Sequence, residues 1–263
     1  MKFISILVPT KNYTLGIKRI LNYFSSIDTT NIEIIISDDS SNNSIKKIVK
    51  KFKKRVSLKY YKNYPALGLS GNWNRLLGLS NAKYVMFLHN DDFITQKNFF
   101  YKLNKIIQIQ KFPDIVSVAT NIIKKNEQKK HITSFLRFFL HKFNSYILRR
   151  NFIGPMSSVI IKNQNLPKFN LKLRWLIDVE FLYKLRKRNW IFTDELIVNS
   201  EYNNPHSQHR KNFIKIKEIL REEYVYISRK FKIKNLFLPQ YYFFEFFFWI
   251  VIRSINLLIL KLK

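Results

Sequence analysis

The stretch Lys83-Tyr84-Val85-Met86-Phe87-Leu88-His89-Asn90-Asp91-Asp92-Phe93 decides the architecture. The apolar run Tyr84 to Leu88 has the length and composition of a buried strand. It ends on two adjacent acids, Asp91 and Asp92. Neighbouring carboxylates repel each other and are poor strand formers, so something must compensate them. In an open α/β sheet the carboxyl ends of the strands are where ligands bind. A hard divalent cation, sharing its remaining ligands with a diphosphate, is one such compensation. A turn is the competing reading, because Asn and Asp favour turns by bonding their own backbone.

The same pattern recurs on either side of this stretch. Phe3 to Val8 reads as a first buried strand, ending in Val8-Pro9-Thr10-Lys11-Asn12. Leu15, Ile17, Ile20, Leu21, Phe24 and Ile27 follow at helical spacing. Ile32 to Ile36 is a second strand, and it too ends on an acid pair in Ser37-Asp38-Asp39-Ser40-Ser41. A helix marked by Ile45, Ile48, Val49 and Phe52, a third strand over 58–61 and a helix over 72–79 lead back to Tyr84. Alternating units of this length predict a mostly parallel sheet with helices on both faces. The two acid pairs then stand at matching ends of parallel strands and face one crevice. Helix capping explains a single acid there, but it does not predict the repetition.

Beyond Asp92 the order loosens. The pattern predicts a helix over 99–109, a strand over 116–120 and an exposed charged loop over 124–130. An aromatic, basic segment follows over 135–150, then a turn at Gly154-Pro155 before a strand over 158–161. A helix over 176–188 opens on Asp178, and a last strand runs over 191–198. An acid at a helix start is also a favourable contact with the helix dipole. Glu180 lies about 200° round the helix from Asp178, so the two do not pair on one face. The division expected is a catalytic domain over 1–234, nucleotide-binding over about 1–110 and acceptor-binding over about 111–234, with a membrane-associating helix over 235–263.

That helix, Tyr241 to Leu260, is about 30 Å long, enough to span a bilayer. Glu245, Arg253 and Asn256 form a polar stripe along one side. A charge near mid-span costs about 2.5–3.5 kcal/mol on insertion scales. Trp249 and the flanking Lys261 and Lys263 better suit a helix lying in the membrane interface.

The net charge is +30, which bears on partners rather than on fold. Lys, Asn, Ile and Phe all have A/T-rich codons, and codon bias inflates them together. The remainder favours an anionic surface, either membrane or nucleic acid. With no cysteine, disulfide frameworks and thiolate metal sites are excluded. The six-residue apolar run before Pro9 is too short for a signal-peptide core, so the expectation is a chain that is not exported.

Taken together, V-P-T-K-N, I-E-I-I-I-S-D-D-S-S, G-N-W-N-R-L-L-G-L-S-N-A-K-Y-V-M-F-L-H-N-D-D and D-V-E-F resemble family 2 glycosyltransferases over roughly residues 3–200. The resemblance implies the GT-A fold and inversion at the sugar carbon. It implies that Pro9, Thr10, Asn12, Asp38 and Asp39 meet the nucleotide, with Asn74 near its phosphates. Asp91 and Asp92 would bind the diphosphate and a Mn2+ or Mg2+ ion, and Asp178 would be the catalytic base.

The family's D-x-D pattern has His89 at its first position here, so His89 lines either the metal or the donor sugar. Gly154, Pro155 and Ser157 would shape the acceptor side. His206, in a loop after the last strand, is a candidate third metal ligand. No Q-x-x-R-W motif of the processive members follows Asp178, which implies transfer of one or a few sugars. The donor implied is a UDP-sugar. The acceptor implied is lipid-linked or a surface glycan such as lipopolysaccharide or capsule, handled by a cytoplasmic enzyme peripheral on the inner face of the cell membrane. The different-class alternatives are a basic nucleic-acid-binding protein and a non-catalytic membrane scaffold.

Overall fold

The computed structural model describes residues 1–124, 127–142, 146–149, 151–201 and 213–233, with 250–251 and 254–255. The elements, in chain order, are β1 (Ile4–Thr10), α1 (Thr14–Ser25), β2 (Ile32–Asp38), α2 (Ser44–Phe52), β3 (Leu58–Lys62), α3 (Gly68–Leu79), β4 (Tyr84–Phe87), β5 (Asp92–Phe93), α4 (Phe99–Ile109), β6 (Ile115–Lys124), β7 (Glu127–Lys130), α5 (Ser134–His141), α6 (Tyr146–Arg149), β8 (Val159–Lys162), α7 (Ile177–Lys184), β9 (Trp190–Glu201) and α8 (Phe213–Phe231). The strands form one sheet in the order β3-β2-β1-β4-β8-β6-β9-β5, with β7 paired to β6.

Side-chain alternation on the central strands assigns residues to two cores. Successive strand residues point to opposite faces. Ile4, Ile6, Val8, Ile34, Ile36, Tyr84, Met86 and Leu88 share one core with Ile17, Ile20, Leu21 and Phe24 of α1 and Ile45, Ile48 and Val49 of α2. Leu7, Ile35, Val85 and Phe87 join the other, with Trp73 and Leu76 of α3, Leu136 and Leu140 of α5, and Phe181 and Leu182 of α7. The apolar residues of α1 fall at i, i+3, i+4 and i+7, one stripe facing the sheet. Burying each such side chain contributes about 1.5–3 kcal/mol.

β3, β2, β1 and β4 are parallel, with Thr10 opposite Asp38 and Leu7 opposite Phe87. Strand order therefore reverses direction at β1, the point where an α/β sheet opens a ligand crevice at its carboxyl edge. Pro9 lies past the last β1–β4 pair, so its missing N–H leaves no ladder bond unmade on that side.

The second half is mixed. β8 runs antiparallel to β4 and to β6, and β9 runs parallel to β6 but antiparallel to β5. Three expectations change. The segment read as a charged loop forms a hairpin, because β7 (E-Q-K-K) is an exposed edge strand without apolar alternation. α7 stops at Lys184, and tight turns at Leu185, Arg186 and Arg188 take over. β9 extends to Glu201, past the expected end at 198. His206 and most of the expected C-terminal helix lie outside the described residues.

Candidate active site

The β4 strand ends on a turn in which Asp92 N–H donates to the His89 carbonyl at 3.0 Å. That turn gathers His89, Asp91 and Asp92, whose ligand atoms lie within 4.8 Å of one another. β5 begins at Asp92 and pairs it with Ser200 of β9, while Glu201 N–H donates to the Asp91 carbonyl at 3.1 Å. The acids thus sit where the parallel half of the sheet meets its last strand. Trp73 stacks on the His89 ring with centroids 4.8 Å apart.

The electrostatics of this turn are those of a buried, uncompensated acid. Asp92 is 1% exposed. Burial, and then the Asp91 charge, push its carboxyl up to about 7, against hydrogen bonds from Ser157 and Ser200. Burial pushes the His89 imidazole down, against the opposing pull of Asp91. Asp92 Oδ2 and His89 Nε2 are buried and lack a hydrogen-bond partner among the described residues. His89 Nδ1 lies 3.8 Å from Asp92 Oδ2, beyond hydrogen-bond range. Orphaned buried acceptors are costly, and two oxygen ligands with one imidazole suit Mn2+ or Mg2+. The residues therefore fit a divalent cation.

The second acid pair splits into two roles. Asp38 is fully buried: Oδ2 accepts from the Tyr60 hydroxyl at 2.7 Å and from Lys62 Nζ at 3.4 Å, and Oδ1 accepts from Ser40 N–H at 2.8 Å. Both oxygens are held by the protein, so Asp38 organises the loop beside Asp39. Asp39 accepts on Oδ1 from Asn63 Nδ2 at 2.6 Å and from Leu67 N–H at 3.1 Å, which leaves Oδ2 among the described residues for a ligand donor. Asn12, with a left-handed φ of 55°, donates its N–H to Ser40 Oγ at 2.7 Å and accepts from Ser41 N–H at 3.2 Å. Thr10 Oγ1 accepts from Asn90 Nδ2 at 3.4 Å, linking the first strand end to the acid turn.

Asn74 ties α3 to the segment before α7. Its amide donates to the Phe169 carbonyl at 2.9 Å and accepts from the Phe169 N–H at 2.7 Å. Both ends of the amide take part in a structural tie to Phe169. Arg75 donates to Asn63 Oδ1 and lies over the Tyr61 ring.

Asp178 stands in the first turn of α7 and accepts its neighbour Val179's N–H at 2.8 Å. Its Oδ2 accepts from Asn151 Nδ2 at 2.9 Å. Asn151 also donates to the Gly154 carbonyl at 2.9 Å and accepts from Ile153 and Gly154 N–H at 3.1 and 3.2 Å. Gly154 has φ +113°, and a Cβ there would meet Thr120 Oγ1 at 2.9 Å. After Pro155, the 3-10 turn Met156–Ser158 brings Ser157 Oγ within 3.0 Å of the His89 N–H, which donates to it. One short segment therefore touches Asp178 at its start and the acid turn at its end.

Sequence reasoning missed Asn151, Ser200, Trp73 and the Tyr60–Lys62 support of Asp38. The one local signal was Asn151 itself, three residues before a glycine, where Asx turns form.

A mixed sheet with flanking helices and an acidic turn at the carboxyl edge of its parallel half defines a GT-A fold. Residues 5–162 match the model of Glycosyl transferase family 2, and the chain belongs to that family. A 95-residue stretch, 35% of this chain, is 33% identical to the GalNAc(5)-diNAcBac-PP-undecaprenol beta-1,3-glucosyltransferase of Campylobacter jejuni; the match spans only 30% of that relative's length. S. aureus TarS 1-349, in complex with UDP-GlcNAc, is similar with a TM-score of 0.63 and 18% identity, over 85% of this chain and 66% of that one. The mannosyltransferase PcManGT from Pyrobaculum calidifontis, in complex with GDP-Man and Mn2+, is similar with a TM-score of 0.57 and 13% identity, over 90% and 66%. At these identities the likeness to solved structures establishes the fold.

Proposed function

We propose that the chain is an inverting, non-processive glycosyltransferase that moves a sugar from a nucleotide sugar, a UDP-sugar by this reading, to a hydroxyl of a lipid-linked or surface-glycan acceptor. The observation that carries it is the buried pair of orphaned atoms, Asp92 Oδ2 and His89 Nε2, beside Asp91 at the carboxyl edge. Asp91, Asp92 and His89 would hold Mn2+ or Mg2+, which when bound neutralises charge developing on the leaving diphosphate. Asp39 Oδ2 accepts a base N–H, as from N3 of uracil, and Asn12 and Thr10 wall that pocket. Asp178 takes the proton of the acceptor hydroxyl as that oxygen attacks the anomeric carbon from the face opposite the diphosphate. The C–O bond to the diphosphate breaks as the new one forms, and configuration inverts. Asn151 holds the Asp178 carboxylate in one orientation. Ser157 fixes the acid turn by accepting from His89 N–H, and Gly154 and Pro155 set the acceptor side of the same turn.

An anionic membrane surface is the proposed partner, with the enzyme peripheral on the inner face of the membrane. Support comes from Lys46, Lys47, Lys50, Lys51, Lys53, Lys54 and Arg55, which follow one another with no acid among them. None forms an ion pair among the described residues, and Lys18 faces Lys47 and Lys51 across a groove floored by Ile48 and Phe52. Each such cation adds about 1 kcal/mol of attraction to an anionic leaflet. No described helix is long and apolar enough to cross a membrane. Release of UDP from a panel of UDP-, GDP- and CMP-sugars with Mn2+, repeated with EDTA, tests the reaction. EDTA-sensitive release from one donor supports it; no release from any donor and no UDP binding by titration would overturn it.

A further inference from the structure

α8 and the helix that carries Asp178 both lie beyond the family-model match, and they are tied together. Glu223 is 5% exposed, and its carboxylate accepts from three successive backbone N–H groups: Arg174 at 2.5 Å, Trp175 at 3.1 and 3.3 Å, and Leu176 at 2.8 Å. These are the residues immediately before α7, and Leu176 is its N-cap position. N–H groups at a helix entry have no intrahelical partner, and the N-cap residue Leu176 supplies no side-chain cap of its own.

Two turns further along α8, Lys230 Nζ donates to Glu180 Oε1 at 2.7 Å. Glu180 is fully buried and also pairs with Lys184 at 2.8 Å. Between the two ties, the Tyr226 hydroxyl accepts from Asn170 Nδ2 at 3.1 Å, and Ile227 is fully buried. Phe231 packs edge-on against Tyr183 at 4.7 Å. Residues 223, 226, 227, 230 and 231 share one helix face. Asp178 sits between the two ties, two residues past the last N–H that Glu223 holds and two before Glu180.

We propose that Glu223 is a positioning residue: α8 braces the entry of α7 from outside the catalytic sheet, so that Asp178 stands where it takes the acceptor proton. The inference rests on the reading of Asp178 as the base. Charge-assisted hydrogen bonds to three adjacent amides fix both the position and the rotation of a helix start. A glutamine in the same place would turn an NH2 toward an N–H, losing part of the set and leaving the rest under strain. Asp39 and the acid turn lie on other segments that Glu223 does not touch, so donor binding depends on the brace far less than Asp178 does.

The test uses the full chain with Mn2+ and whichever donor of the UDP-, GDP- and CMP-sugar panel is turned over. Glu223→Gln is expected to lower kcat about 10- to 100-fold, because an ångström of misplacement costs about that much. The donor KM and UDP affinity should stay within about threefold, since a ratio of that size is under 1 kcal/mol. Amide hydrogen exchange over 170–180 should accelerate in the same variant. Lys230→Met, at a partly exposed site, keeps the Lys184–Glu180 pair and serves where Glu223→Gln fails to fold; it is expected to lower kcat by a smaller factor.

A purely structural contact would lower the melting temperature and leave kcat unchanged well below it. Normal kcat in the folded variants, beside an inactive Asp178→Asn, overturns the brace alone. Near-normal turnover in Asp178→Asn, or no turnover by the wild type on any donor, overturns the reading of the base and the brace with it.

Discussion

Gly16→Ala should destabilise this protein although it places a better helix former inside α1. In an ordinary helix interior the exchange would stabilise by about 1 kcal/mol. Here a Cβ would lie 1.8 Å from the Asn90 carbonyl oxygen, 2.8 Å from its carbon and 2.8 Å from Tyr13 Cδ1. The obstructing atoms include backbone, which no rotamer change moves aside. The acid turn would have to retreat by about 1.5 Å to recover van der Waals contact. Overpacking of this kind costs about 1–3 kcal/mol, and a backbone obstacle belongs at the upper end. Taking a net loss of about 2 kcal/mol, the melting temperature should fall by roughly 4–8 °C.

The displaced turn carries His89, Asp91 and Asp92, so Mn2+-dependent UDP binding should weaken about tenfold or more at temperatures where the variant is folded. Differential scanning fluorimetry and calorimetric titration give the two quantities. A melting temperature at or above that of the wild type, with unchanged titrations, would refute the packing of α1 against Asn90 that underlies the site.

The other predictions are independent of that one. Asp178→Asn should lower turnover about 100- to 10,000-fold while UDP binding persists; near-normal kinetics would remove it as the base. Asp92→Ala should abolish the EDTA-sensitive part of UDP binding, and a titration unchanged from wild type would contradict the cation site. Asp194→Ala leaves Arg137, 1% exposed and paired with Asp194 at 3.2 Å, buried without its carboxylate, at a cost of about 3–5 kcal/mol. Burial pushes the Asp194 carboxyl up, but the Ser134 N–H, Lys130 and Arg137 outweigh it and hold it below the usual range. A depressed carboxyl gives stability above its unfolded value and loses it as pH falls. The gap in melting temperature between wild type and Asp194→Ala should therefore narrow on acidification, and a constant gap would argue against the pair. Replacing Lys46, Lys47, Lys50 and Lys51 with Glu should release the protein from vesicles containing phosphatidylglycerol at moderate salt; equal sedimentation would exclude α2 as the membrane face.

The parallel half of the fold was legible because its strands are short apolar runs whose alternation and helical partners leave little choice. Both acid pairs were legible for the same reason, as they follow directly on such runs. What distinguishes Asp38 from Asp39 was not. Tyr60 and Lys62 reach Asp38 from a strand more than twenty residues away, and only the parallel register of β2 and β3 brings them there. His89 reads as a departure from an acidic pattern, yet its ring stacks on Trp73 within the acid group. The tie from Asn74 to Phe169 was not legible either, because a position beside Arg75 on a helix says nothing of a residue almost a hundred positions on. Glu223 sits in a helix rich in Lys, Arg and Glu, a composition that reads as a solvated face; its burial follows from docking alone. The β7 hairpin carries no apolar signal at all.

The Asn151–Ser158 segment couples two chemistries that are often treated as separable. Its first residue orients the carboxylate proposed to meet the acceptor, and its seventh holds the backbone of the turn proposed to meet the donor phosphates. The Gly154 backbone between them has a φ of +113°, and a Cβ there would crowd the Thr120 and Ser158 hydroxyls. Substitutions here that aim to change which acceptor is used will therefore also move the cation ligands. In this chain acceptor choice is more freely altered by residues outside the segment, and divergence of specificity should spare 151–158 while its surroundings vary.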